Sequence, residues 1–165
     1  MIRANLQCLD QALRLLAVLD DSQYRSPRGT WSPVGAQLRH VIEHYQCFLE
    51  GAALGRVDYD ARRRDPIIES SRQHAASVIR DIISDLDRAP IGPPARPLEV
   101  QMRSRPDAPG PEWTTSSVGR ELQFLVSHSV HHFALIKLLV AGDGVSLDEN
   151  FGVAPSTMAH ARAHG

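Results

Sequence analysis

The segment from Leu122 to Val140 limits the fold more than any other part of this chain. It is apolar over most of its length and contains neither Gly nor Pro. A run of that length and composition reads as one helix. It carries Ser127-His128-Ser129-Val130-His131-His132-Phe133 in its middle. Residues four apart on a helix differ by only about 40° around the axis, so His128 and His132 project from one face, one turn apart. Two neutral imidazoles so placed are what helical divalent-cation motifs use. His131 falls on the neighbouring flank and reads as structural. The same spacing recurs upstream in His40 and His44. Two helices that face each other through these pairs supply three or four ring nitrogens. A single pair at this spacing is more often accidental than metal-binding; two pairs in one small chain raise the weight of a shared site.

The chain has 165 residues, enough for one domain with a full core, and no linker or repeat divides residues 1–165. The net charge is −1, so no basic field draws the protein onto nucleic acid. Arg62, Arg63 and Arg64 form a local cluster among Asp58, Asp60 and Asp65 and read as solvated or salt-bridged surface. The loop from Asp58 to Arg62 has a second reading, in which it approaches the mouth of the histidine site. Cys8 and Cys47 have no paired-cysteine motif spacing, which suits a reducing, cytoplasmic compartment. No leader-like N-terminus and no membrane-length apolar stretch is expected.

Four long helices are expected. The first runs from Ile2 to Asp20, on Leu6, Leu13, Leu16 and Leu19. Asp20-Asp21-Ser22 and Ser26-Pro27-Arg28-Gly29 read as a turn-rich loop. The second helix opens at Trp31-Ser32-Pro33, with Ser32 as cap and Pro33 in the first turn, and runs to Ala53. The third runs from Pro66 to Arg88 behind an Asp65 cap, with Ile67, Ala75, Val78, Ile79, Ile82, Ile83 and Leu86 inward. Seven prolines between Pro90 and Pro111 exclude helix until about Thr115. Within that crossover Leu98-Glu99-Val100-Gln101-Met102 alternates as a short strand, part of a small β-hairpin. Ser116 or Ser117 caps the fourth helix, which ends by Gly142. Pro155 opens a short terminal helix to Ala163. The fold class is therefore all-α, a four-helix bundle with a long crossover between the third and fourth helices.

Trp31-Ser32-Pro33, Leu38-Arg39-His40 and the distant His128-x-x-His131-His132 together resemble the DinB-like (YfiT-like) metalloenzyme family over about residues 5 to 140. The resemblance implies that His40, His128 and His132 hold a divalent metal, nickel, zinc or iron. Members include bacillithiol-using thiol S-transferases, a mycothiol-dependent isomerase and the metal domain of ergothioneine-forming sulfoxide synthases. A low-molecular-weight thiol is thus an implied partner. Many members continue with Arg-Gly-Gln where this chain has Phe133-Ala134-Leu135, so the resemblance bears on the triad and not on the substrate.

The chemistry follows from the donors. Three neutral imidazoles leave a cation its full charge and an open position, where water or a thiol loses its proton near neutral pH. Nitrogen donors without Cys favour zinc, nickel, iron(II) or copper over calcium or magnesium. His44 is open to several roles: fourth ligand, outer hydrogen-bond partner, catalytic general base, or packed residue. Glu121, two turns before His128, is expected to accept the outer N–H of a ligand histidine, or else to sit on the surface. Tyr45 reads as core and Arg39 as surface. The function expected is metal-dependent activation of water or a thiol against a small electrophile, of hydrolase or thiol S-transferase type. The alternative is a non-catalytic metal- or ligand-binding bundle acting in stress response. Phe124, Phe133 and Leu138 crowd one bundle, which suggests a homodimer.

Overall fold

A computed structural model describes residues 1–165 apart from Arg28, Ala89, Ala108 and Gly165. The part of the expected Ser26–Gly29 turn that falls on Arg28 lies outside the described residues. The architecture is mostly helical, with a small three-stranded sheet. In chain order the elements are α1 (Ile2–Val18), α2 (Asp21–Arg25), α3 (Val34–Ala52), β1 (Arg56–Asp58), α4 (Pro66–Ser70) and α5 (Arg72–Arg88). They continue with β2 (Pro97–Gln101), β3 (Trp113–Ser117), α6 (Val118–Leu139) and α7 (Pro155–His164).

Each long helix buries one stripe. On α1 it is Asn5, Cys8, Leu9, Ala12, Leu15 and Leu16, the three-and-four spacing of an amphipathic face. On α6 it is Val118, Leu122, Leu125, Ser129, Phe133 and Ile136. Helix α1 packs on α5 and α6, and α3 packs on α5 and α6, so the four stripes share one core. Phe133 completes it by stacking on Phe151 of the tail, with ring centroids 5.0 Å apart.

Local chemistry moves several boundaries. Helix α1 stops at Val18 because Leu19 turns extended to deliver Asp20 as the cap of α2. The expected loop at Asp20–Ser22 is therefore a helical turn. A capping box builds it: Gln23 N–H donates to Asp20, and the Gln23 side chain accepts from the Asp20 amide. At α3 the cap is Pro33 with no side-chain bond, so the Ser32 cap does not form. Asp65 does cap α4, accepting from Ile67 N–H at 2.8 Å with Pro66 in the first turn.

The third expected helix is two helices, broken at Ser71. The Ser71 hydroxyl accepts from His74 N–H at 3.2 Å, opening α5 afresh. The break frees the Ile68 carbonyl, which takes the Tyr24 hydroxyl instead. It also rephases the chain: Ile68 is buried, while Ile67, expected inside, is 55% exposed. Gly35 permits this packing, because a Cβ there would strike the Glu69 carbonyl.

The crossover holds the expected hairpin, β2 antiparallel to β3 with Leu98 opposite Ser116 and Val100 opposite Thr114. The structure adds β1, parallel to β2 with Val57 opposite Val100. The sheet therefore spans two connections of the chain, and β1 lies against α3, where Gly51 leaves room for the Arg56 carbonyl. That placement directs the loop after β1 back over α3. Ser117 caps α6, accepting from Arg120 N–H at 3.2 Å. No helix among the described residues is long and apolar enough to cross a membrane.

Candidate metal centre

Helices α3 and α6 pack face to face, and the histidines flank that contact. His40 and His44 each precede a core residue of α3, Val41 and Tyr45; His128 and His132 each precede one of α6, Ser129 and Phe133. Packing the two stripes together therefore brings the flanks together. His40, His128 and His132 form a group whose ligand atoms lie within 4.8 Å of one another. Bonds of about 2.0–2.1 Å to one ion are then within reach of modest side-chain rotation. The ring centroids stand 4.9 Å apart for His40 and His128, 4.6 Å for His40 and His132, and 4.6 Å for His128 and His132. His44 is more deeply buried, 4.4 Å from the His40 ring and 4.2 Å from that of His128.

The hydrogen bonds fix which nitrogens are free. His132 Nδ1 donates to Gln37 Oε1 at 2.7 Å, which leaves the Nε2 lone pair available. His44 Nδ1 donates to the His40 carbonyl at 2.7 Å and likewise keeps its Nε2 lone pair. His128 Nε2 is buried with no partner. Arg62 Nη1 donates to His40 Nδ1 at 2.5 Å.

All four rings are held neutral. Burial first, then the neighbouring His44, Arg62, His132 and His128, pushes the His40 pKa down to about 2. Burial likewise takes His128 to about 3, helped by His44, and His132 to about 4, helped by His131. His44 falls to about 4 by burial, opposed by its bond to the His40 carbonyl. Neutral imidazoles with free or orphaned nitrogens are the donor set of a nitrogen-preferring divalent ion. An unpaired buried nitrogen is costly in a core that has no ligand to satisfy it. The residues present therefore fit a metal.

Other residues fall differently from expectation. Glu121 is buried, but it meets no histidine: it accepts the Tyr59 hydroxyl at 2.9 Å and the Ser116 hydroxyl. Its link to the site runs through Tyr59, whose ring stacks on His44 at 5.3 Å. Phe124 stacks on His128 at 5.4 Å and closes the same side. His131 is exposed, with its ring edge-on to His132 at 5.3 Å. Tyr45 is core, and Arg39 pairs with Glu69 at 2.6 Å. Cys8 and Cys47 are free, and burial pushes both thiols up to about 11, which disfavours a thiolate nucleophile.

Of the three arginines expected at the surface, Arg63 is exposed and pairs with Glu50. Arg62 is half-buried and reaches the site, so the loop reading in which it approaches the mouth is the one observed. Gln37 is the polar partner that sequence reasoning missed. Its position three before His40, on the same helical flank, is the signal that could have found it.

A mostly helical protein with three histidines able to hold a metal ion between two long helices is the class defined by this fold and site. Within that class the chain belongs to the DinB superfamily, whose family model matches residues 5–136 and so includes all four histidines. Metal binding is common in that superfamily. A segment of 45 residues is also 47% identical to FK506-binding protein 5 of Rhizopus delemar, covering 27% of this chain and 12% of that protein. So local a likeness carries no assignment for the chain. No solved structure matches.

Proposed function

We propose that His40, His128 and His132 hold a divalent transition ion, nickel, zinc or iron, in a four-helix bundle enzyme. The enzyme activates water or a thiol for attack on a small electrophile, as a hydrolase or thiol S-transferase. The observation that carries this reading is the triad itself, three neutral rings with the buried His128 Nε2 left without a protein partner. A bound ion supplies Lewis acidity, lowering the pKa of water or a thiol at its open position.

The chain's own residues do the rest. Gln37 holds His132 in the tautomer that leaves Nε2 basic. The His44 Nε2 lone pair receives the proton that the nucleophile gives up, and the bond from Nδ1 to the His40 carbonyl orients the ring for it. Glu121 positions Tyr59, and the Tyr59 and Phe124 rings shield the inner side of the site from water. The substrates are small molecules, with a low-molecular-weight thiol among them. The homodimer remains part of the proposal. Leu138 (74% exposed) and Trp31 (63% exposed) line one groove with Leu135 and Leu139, an apolar surface suited to a second copy.

A second reading has an observation of its own. The His44 ring is as near to His128 as the triad rings are to one another. As a fourth ligand it would close the site and leave a non-catalytic metal-binding protein. To separate the two, the apo protein is loaded with nickel, zinc, iron(II) or manganese and assayed for thiol consumption and hydrolysis against electrophile panels. Metal-dependent turnover that disappears in His132→Ala is expected. Equal turnover in that variant overturns the enzyme reading, and tight metal binding without turnover favours the closed site.

A further inference from the structure

Arg62 has an unusual set of partners. Its Nη1 rests on His40 Nδ1 at 2.5 Å and stands 3.4 Å from His40 Nε2, and its buried Nε has no partner. No ion pair to Arg62 occurs among the described residues. Several other arginines meet carboxylates: Arg63 meets Glu50 at 2.6 Å, Arg72 meets Asp21 at 2.8 Å, and Arg39, whose buried Nε is likewise without a partner, meets Glu69 at 2.6 Å.

Nearby acids, Glu43 and Asp60 among them, act on Arg62 through their charge without forming an ion pair with it, and each of the loop's acids has an oxygen hydrogen-bonded elsewhere. Asp58 Oδ1 accepts from the amides of Asp60 and Ala61. Asp60 Oδ2 accepts from the Gln101 side chain at 2.7 Å and from Arg103 N–H at 2.8 Å. Glu43, buried, accepts from Asp65 N–H at 2.7 Å. These same bonds tie the loop down. Arg64, at φ 53, makes the left-handed step that sends it into α4. The guanidinium is therefore held over the triad by a braced loop.

Arg62 and a metal ion make incompatible demands on His40. A guanidinium only donates, so it uses a ring lone pair, and a cation needs a ring lone pair too. Once His40 ligates an ion, Arg62 loses the one side-chain hydrogen-bond partner it has among the described residues and stands beside a dication. A planar anion placed between them satisfies both, and the guanidinium fork matches a carboxylate.

We infer that Arg62 is the specificity group of this site, and that the substrate it admits carries a carboxylate. That group sits against the guanidinium while the reacting end takes the open metal position. The inference rests on the metal-centre reading above and names the substrate class that reading leaves open.

The test compares two small thiols on the Co(II)-loaded full chain, followed by the cobalt visible bands and the thiolate-to-cobalt charge-transfer absorption. One thiol is 3-mercaptopropionate, which bears a carboxylate; the other is 2-mercaptoethanol, which does not. The expected result is at least about tenfold tighter binding of 3-mercaptopropionate, the scale of one charge-assisted pair. In Arg62→Gln the ratio falls to about one. Arg62→Lys keeps the charge without the fork and retains a reduced preference. Co(II) itself binds Arg62→Gln at least as tightly as wild type, since a competitor for His40 is gone. The wild-type ratio needs no variant to fold. Equal affinity for the two thiols on Co(II)-loaded wild type, or a preference that survives in Arg62→Gln, overturns this inference alone. A wild-type protein that takes up no Co(II) overturns the metal centre and this inference together.

Discussion

Two polar clusters lie side by side where α3 meets α6. One joins Asn5, Tyr45 and Ser129, all fully buried. Asn5 Nδ2 donates to the carbonyls of Leu122 at 3.1 Å and Met1 at 3.2 Å, and Asn5 Oδ1 accepts the Tyr45 hydroxyl at 2.9 Å. Ser129 Oγ donates to the Leu125 carbonyl at 2.7 Å and lies 3.3 Å from the Tyr45 hydroxyl. Nothing in it is left over. The other cluster, the four histidines, keeps an orphaned nitrogen on His128 and borrows Arg62 for His40. A satisfied polar cluster specifies the packing of its helices; an unsatisfied one leaves a nitrogen that a ligand could take. The difference is visible within one turn of α6, where His128 and Ser129 are adjacent and enter different clusters.

The largest expected contrast between the clusters is with pH. The unfolded chain binds protons at its histidines below about pH 6.5. In the folded chain His40, His44, His128 and His132 refuse them until about pH 4 or lower. The unfolded state then holds more protons, so stability falls as pH drops. The apo protein is expected to lose urea resistance steadily from about pH 6.5 downward, with no loss between pH 8 and 7. The Tyr45 cluster contributes nothing to that slope, because burial holds its hydroxyl far above the ordinary tyrosine range. An apo protein equally stable at pH 7 and pH 4.5 would show that the histidines are not buried neutral.

Matched substitutions come next. His128→Phe keeps an aromatic ring beside Phe124 and removes both nitrogens. Metal affinity should fall by more than about a hundredfold, a quarter share of a typical structural-site binding energy being enough for that. The apo unfolding midpoint should not fall, since the lost nitrogen had no partner to lose. Tyr45→Phe is the same kind of change in the satisfied cluster and should cost about 1–2 kcal/mol, because the buried Asn5 Oδ1 loses its donor. Isothermal titration with zinc and urea melts of the apo proteins check both. Equal stability losses in the two variants would erase the distinction between the clusters.

The unequal legibility of the two kinds of feature has a physical origin. Helix faces and the spacing within each histidine pair are local periodicities, so the stripe of α6 and the pairs His40/His44 and His128/His132 can be read along the chain, whereas the choice of His40 with His128 and His132 comes from the family resemblance and not from spacing. Caps such as Asp65 and Ser117 are local too. The break at Ser71 is local but loses to a stronger signal, since the apolar spacing from Ile67 to Leu86 reads straight through it. Glu121 is misread because its partners, Tyr59 and Ser116, reach it through the sheet, and the parallel pairing of β1 with β2 has no sequence signature at these lengths. Arg62 depends on two such distant facts, the course of β1 and the bonds to Asp60 from Gln101 and Arg103, and on a left-handed turn at Arg64 that a non-glycine residue does not announce.

The smallest expected effect tests the independence of the clusters most closely. Ser129→Ala removes one hydroxyl from α6, immediately after His128. Its bond to the Leu125 carbonyl is a turn-local one, and that carbonyl stays engaged by the helix ladder. The Tyr45 hydroxyl keeps its stronger bond to Asn5. Removing Ser129 Oγ therefore orphans nothing, and alanine is the better helix former. The expected stability change is within about 1 kcal/mol, with zinc affinity unchanged. Zinc affinity measured alongside the melt is the sensitive readout. A severalfold change there would mean that the α6 backbone transmits strain from one cluster to the other, and the two would have to be treated as a single polar core.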